Sequence, residues 1–367
     1  MKSWFLSFRY FDLIIFGSSI LLLLLGLLMI YSTTLGSGPG LFFRQIIFAS
    51  AGLAGLMVLA FFDYRNLRKI TGLLYVVIIL GLLFVWWIGP TIRGSQRWID
   101  LGFFRLQPAE FAKLFMVVVT AKFLDQQGEK IKDFRYVLLS LIYILIPLGL
   151  ILLEPDLGSA LVIFFTWLGM MAFSKINKKH LFILLIGFII VALIAWSFLL
   201  HDYQRQRIFT FLDPNKDPKG QGYNVLQSII AVGSGSYFGR GVGRGLQSQL
   251  KFLPERQTDF IFASTAEELG LLGSLFILAL FFLLLVRIIR TFRSSRDNFG
   301  MYLSLGIFFM LLVQILINIG MNIGLLPVTG IPLPLLSYGG SSLITTLLGL
   351  GLIESVIARR KVIRFGN

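Results

Sequence analysis

An all-α polytopic membrane protein of about ten transmembrane helices is the fold this sequence predicts, on three observations. Apolar residues make up 56% of the 367 and charged residues only 14%, against about 25% charged in an ordinary soluble chain. Apolar runs long enough to cross a hydrocarbon core recur along the whole chain. Basic residues collect in alternate connections between those runs. No core of this size buries that much apolar surface, so the solvent is lipid. With no cysteine, disulfides and thiolate metal sites are excluded. The two histidines, His180 and His201, are too few and too far apart for a zinc or haem site. The net charge of +15 fits loops facing anionic lipid rather than nucleic acid.

The first run, Leu13–Tyr31, follows Lys2 and Arg9 as a signal peptide would. Its apolar stretch is long and no small-residue cleavage site follows, so it is a retained helix. Leu41–Phe62 and Ile70–Ile88 come next. Ala109–Phe123 is short and carries charges. Val137–Leu153, Leu157–Phe173 and Leu181–Leu200 follow, and after a long connection Leu269–Val286, Met301–Leu325 and Leu343–Ala358. The chain reads as one transmembrane domain, 1–367, with residues 201–256 as a large extracytoplasmic loop between the seventh and eighth helices. A cytoplasmic N-terminus puts 20 of the 33 basic residues inside and 12 outside, with Lys113 within a span. Eight of those 12 lie in the long loop, and long loops translocate largely regardless of charge. Both termini are therefore expected in the cytoplasm.

Two outer segments stand out. Arg93–Pro108 mixes arginines with aromatics. His201–Arg256 is far longer than a connector needs to be, and long ordered loops are usually functional. Within it, Tyr223–Val232 is apolar enough to lie in the interface or dip back into the membrane, and GSGSYFGRGVGRG follows.

Ionisable groups within spans are expensive, so each is a functional candidate. Glu110 and Lys113, three apart, share one helix face; they are either a packing ion pair or the lining of a polar cavity. Glu267 and Glu268 open the eighth run, where carboxylates favour the helix dipole. Asp259, in TDFIFA, is a lone acid in an apolar hexapeptide near headgroup depth: an N-cap or a base. Arg256 lies close by, where it suits a diphosphate. Arg97-Trp98 suits a phosphate or an interfacial anchor. Gln314, Asn318 and Asn322 form one polar stripe, read as interhelical glue. Pro327, Pro332 and Pro334 forbid regular helix before Ser341 and Ser342. These two serines open the tenth run as an anion site or as plain caps.

GSQRWI, QPAEFAK, EPDLG, LPERQTDFIFA and PVTGIPLPLLSYGGSS occur in this order on the ten-run layout. On these motifs the chain, from about Asp12 to Ala358, resembles the SEDS family of bacterial peptidoglycan glycosyltransferases. QSQLKF and NIGM resemble its rod-shape (RodA) branch more than its division (FtsW) branch. The resemblance implies polymerisation of lipid II into glycan strands at the outer face of the bacterial inner membrane. It also implies a class B penicillin-binding protein as transpeptidase partner. It puts the family acid on Asp259, the polar pair on Glu110 and Lys113, and the arginine beside tryptophan on Arg97. Gln257 and Ser236 depart from the pattern, standing where histidine and glycine are expected.

The chemistry suits this composition. An acceptor hydroxyl needs one base, and a departing diphosphate needs cationic stabilisation rather than a proton. No cofactor is called for, and a divalent cation at the diphosphate is the one addition the chemistry admits. The alternative is a lipid II flippase, whose polar groups would follow a path to the cytoplasm; a scaffold that only recruits the transpeptidase is weaker. In this sequence the polar groups gather at the outer face, which favours the transferase.

Overall fold

The computed structural model describes residues 11–35, 38–90, 95–102, 104–194, 197, 202–214, 221–250 and 252–360. Backbone in lipid must satisfy its own hydrogen bonds, and helices do so within one segment. The first seven apolar runs map onto α1 (Leu13–Thr34), α2 (Gly40–Phe61), α3 (Leu67–Ile88), α4 (Pro108–Gln127), α5 (Phe134–Leu153), α6 (Leu157–Ala172) and α7 (Lys178–Ile194), the seventh as far as Ile194, since 195, 196 and 198–200 fall outside the described residues. The long connection contributes α8 (Asp202–Leu212) and α9 (Gln221–Ser234). The last three runs lie in α10 (Ile261–Ser294), α11 (Asn298–Asn322) and α12 (Gly340–Ala358). Among the described residues, seven helices are long and apolar enough to cross a membrane. α6, with 16 residues, is a shorter apolar helix. α4 carries Glu110, Lys113, Lys122 and Asp125.

Burial explains where that charge goes. α4 is inside the bundle, with Glu110 and Lys113 buried beside apolar residues on every turn. α11 and α12 are also interior, whereas α2, α3 and α5 turn most of their length outward. The start of α1 meets the end of α12: the Asp12 amide donates to Glu354 Oε2 at 2.9 Å. Both described ends of the chain thus lie at one end of the bundle. Arg93–Pro108 ends in a small antiparallel hairpin, β1 (Ile99–Asp100) with β2 (Arg105–Leu106), while Arg93 and Gly94 fall outside the described residues. His201 does too.

α10 corrects the expectation for the eighth run. Helix begins at Ile261 rather than Leu269 and breaks at Gly270, whose φ is +69°. Glu267 and Glu268 therefore lie in the last turn before the break rather than in the first turn of the helix. They are fully buried and hold the glycine-rich loop. Glu267 accepts from the amides of Gln247 (2.8 Å) and Ser248 (3.1 Å) and from Ser248 Oγ (2.7 Å). Glu268 accepts from Ser32 Oγ at 2.5 Å and the Gly243 amide at 3.1 Å. Around the break, the amides of Leu271 and Leu272 donate to the carbonyls of Ser236 (2.9 Å) and Tyr237 (3.1 Å). The amides of Arg240 and Gly241 donate to Glu267 and Glu268 carbonyls at 3.0 Å. A broken helix is tolerated at this depth because the loop satisfies its freed groups. Tyr223–Val232 is helical, and α9 packs on α10 and α11 through Ala231 and the Ser228 hydroxyl, which donates to the Asn322 carbonyl at 2.8 Å.

Candidate functional site

Asp259 sits in the turn before α10. Phe260 occupies the cap position with no side-chain cap, so the N-cap reading of Asp259 does not hold. Its backbone is clamped instead. Asn318 Nδ2 and Asn322 Nδ2 each donate to the Asp259 carbonyl at 3.0 Å. Asn318 also donates to the Ile331 carbonyl at 2.7 Å, and Asn322 Oδ1 accepts from the Ala263 amide at 3.0 Å. The polar stripe of α11 is glue, as read from its spacing, but its object is the segment carrying the acid. The irregular stretch after α11 closes the other side. Ser337 Oγ donates to the Thr258 carbonyl at 2.6 Å, and the Tyr338 amide to the Gln257 carbonyl at 2.8 Å. Gln257, where histidine was expected, thus contributes its backbone. The half-buried Asp259 carboxylate faces Gly330: a Cβ on that glycine would lie 3.5 Å from Oδ2. Two bulky residues with left-handed backbone, Glu255 (φ +49°) and Leu335 (φ +66°), flank the two segments. Such strain persists only where the surroundings over-determine it.

A second wall meets the same stretch. Gly158, in the first turn of α6, is pressed on the Thr329 carbonyl, which a Cβ would approach to 2.9 Å. Just before it, Arg97 donates to the backbone carbonyls of Glu154 (3.1 Å) and Pro155 and lies 4.0 Å from Asp156 Oδ1. Asp156 accepts from Gln107 Nε2 at 3.1 Å, and the Gln107 amide donates to Ser341 Oγ at 3.0 Å. Arg97, Asp156, Gln107 and Ser341 are one connected wall, joined through Gly158 and Thr329–Ile331 to Asp259. The serine-cap reading fails: Gly339 is the cap residue of α12 and no side chain caps it. Ser341 and Ser342 lie in the first turn, both 8% exposed. Glu154 is buried, with neither carboxylate oxygen hydrogen-bonded. Burial, and secondarily Asp156, pushes its carboxyl up to about 8, against the opposing pull of Arg97.

A family of cell cycle proteins, FtsW/RodA/SpoVE, matches residues 12–362. The chain belongs to this family. It is 39% identical over 366 residues to the peptidoglycan glycosyltransferase MrdB of Escherichia coli, covering 96% of both chains. Its fold is similar to the rod shape determining protein RodA of Thermus thermophilus, with a TM-score of 0.71, 30% identity, and coverage of 95% of this chain and 96% of that one. It is also similar to a chain of a peptidoglycan synthase complex described as coordinating polymerization and crosslinking. There the TM-score is 0.79 and the identity 34%, with 95% of this chain and 97% of that one covered. Within the FtsW/RodA/SpoVE family these likenesses favour the RodA branch.

The remaining predicted residues of this FtsW/RodA/SpoVE protein lie behind that surface. Lys113 Nζ is 2.7 Å from Glu110 Oε1 and donates to Gln314 Oε1 at 3.3 Å, with all of these side chains buried. The space beside Lys113, walled by Thr166 and Trp167, is too narrow for a water-sized sphere. Gln314 is one helical turn from Asn318, so the pair backs the Asp259 clamp rather than opening to the surface. Arg256 is 5% exposed and donates to the Ser248 carbonyl. Burial lowers its guanidinium, with Glu268 acting in the opposite direction. It ties the loop down from within instead of facing a ligand. Among the described residues no group of three His, Asp or Glu side chains is placed to hold a metal ion. Asp156, Gln107 and Ser337 escaped the sequence reading as individual residues. The signal for all three was present, since they stand inside the quoted motifs.

Proposed function

We propose that this membrane enzyme, a peptidoglycan glycosyltransferase, polymerises lipid II at the outer face of the bacterial inner membrane. In this reading Asp259 is the general base. It removes the proton from the acceptor 4-hydroxyl as that oxygen attacks the donor's anomeric carbon and the lipid-linked diphosphate leaves. The observation that carries the reading is Asp259 itself: a carboxylate on a doubly clamped peptide, facing a glycine, at the junction of the chain's two irregular outer segments. A base must be held in position by locked surroundings, and a flippase path has no need of one. Arg97, with Ser341 and Ser342 in the first turn of α12, is the cationic and amide wall for the diphosphate. Glu110, Lys113 and Arg256 support these groups from behind. Ten spans with both termini cytoplasmic, residues 201–256 outside between the seventh and eighth, and one domain over 1–367 complete the arrangement. The partner is a class B penicillin-binding protein, whose transpeptidase crosslinks the strands.

Asp259→Asn tests the reading, because asparagine keeps the volume and backbone clamp but cannot take a proton. Purified with its transpeptidase partner and given lipid II, the variant should bind both yet lose about 10²–10⁴ in glycan synthesis. Polymerisation within a few-fold of wild type would remove Asp259 as the base and bring the flippase forward.

A further inference from the structure

At the other end of α10 from Asp259, the start of α1 and the ends of α10 and α12 enclose a cavity of about 260 Å³. Arg287, on its rim, lies 26 positions beyond Ile261, roughly 39 Å along a helix. The lining is of two kinds. Phe11, Leu13, Ile14 and Ile357 form an apolar wall, and Arg287, Arg360 and Asp12 supply the polar groups. Arg287 Nη2 pairs with Asp12 Oδ2 at 2.5 Å, which holds the guanidinium in place, while its Nε is buried without a hydrogen-bond partner. Arg360 is exposed, and among the described residues its side chain makes no ion pair or hydrogen bond. Leu13 and Ile14 of that wall are exposed by 76% and 40%, and the exposed face of α1 continues from them as Leu21, Leu24 and Leu28.

We propose that this cavity binds the phosphate headgroup of an anionic phospholipid, with the acyl chains lying along the exposed stripe of α1. Two arginines, one on α10 and one just past the end of α12, give a phosphate donors that a single surface residue does not, and guanidinium is suited to that geometry. A basic pocket between helix ends that opens directly onto lipid-facing leucines favours a ligand with one charged end and long apolar tails. A soluble anion uses only the first half of that surface.

Native mass spectrometry of the full-length protein in detergent, loaded with phosphatidylglycerol or phosphatidylcholine, tests the site. Wild type should retain phosphatidylglycerol preferentially. Arg360→Gln should weaken that retention about five-fold and Arg360→Glu more, with phosphatidylcholine unchanged. Position 360 is exposed and, among the described residues, unpaired, so both variants should fold. Excess inorganic phosphate should leave the lipid bound; displacement by it would assign the cavity to a soluble anion and overturn the proposal. Equal retention by all three proteins would overturn it as well. Asp259→Asn should bind phosphatidylglycerol like wild type, which separates failure here from failure of the polymerase reading.

Discussion

Two buried acids outside the clamp have different expected behaviour. Glu154 has its folded pKa raised from 4.5 to about 8. An acid so shifted is protonated in the folded protein and ionised in the unfolded one across that window. The folded state then binds more protons, and stability falls as pH rises from about 4.5 to about 8. Glu154→Gln should abolish that dependence and raise stability at pH 9 by a few kcal/mol, as read by thermal unfolding in detergent; an unchanged pH profile would show the carboxyl to be solvated. Glu110 should be harmed by loss of its partner. Lys113→Ala strands a buried carboxylate and should destabilise by roughly 3–5 kcal/mol, whereas Glu110→Gln with Lys113→Met should recover most of it. Recovered folding without recovered glycan synthesis would instead give Lys113 a direct role with substrate. At this scale the chain was legible where a charge stood against an apolar background, as at Asp259, Glu110 and Lys113. It was not legible in what those side chains touch. Nothing in the four-residue spacing of Asn318 and Asn322 says that both amides converge on one carbonyl 59 and 63 positions away.

Among elements, α10 is the instructive case. Its apolar content locates the spanning part, but the helix start at Ile261 and the break at Gly270 depend on the loop that packs there. Composition carries no register for such a contact, and the glycines were its only trace. Gly239 and Gly270 are pressed together, and a Cβ on Gly270 would come within 2.2 Å of the Gly239 amide nitrogen, at a φ that other residues resist. Gly270→Ala should therefore pry the loop from the helix, at about 2–4 kcal/mol from overpacking and backbone strain together. Faster proteolysis after Arg240 and Arg244, with falling activity, is the expected sign; an unaltered cleavage rate would mean that the break accommodates side chains. Ser236, where glycine was expected, adopts φ +51° beside the same break. The departure leaves the backbone form intact.

For the whole molecule, hydropathy alone sufficed to find the runs, because lipid imposes one requirement on every span. How the helices sort into interior and periphery was legible only in part. The charges of α4 marked it as unusual, and its central position resolves the cost of carrying them. Orientation rests on the distribution of basic residues and is testable directly, since the chain has no cysteine. An impermeant thiol reagent on intact cells should label Asn215→Cys and spare Gln126→Cys. The reverse pattern would turn the protein over and put Asp259 in the wrong compartment for an outer-face polymerase.

The clamp on the Asp259 carbonyl also bears on timing. With the peptide pinned by two amides, the proposed base keeps one backbone position from one sugar addition to the next. Loop closures that assemble a site run on microseconds to milliseconds, and a segment already clamped needs none to bring its backbone into place. Strand elongation is left to be paced by the advance of the polymer or the arrival of the next lipid-linked sugar.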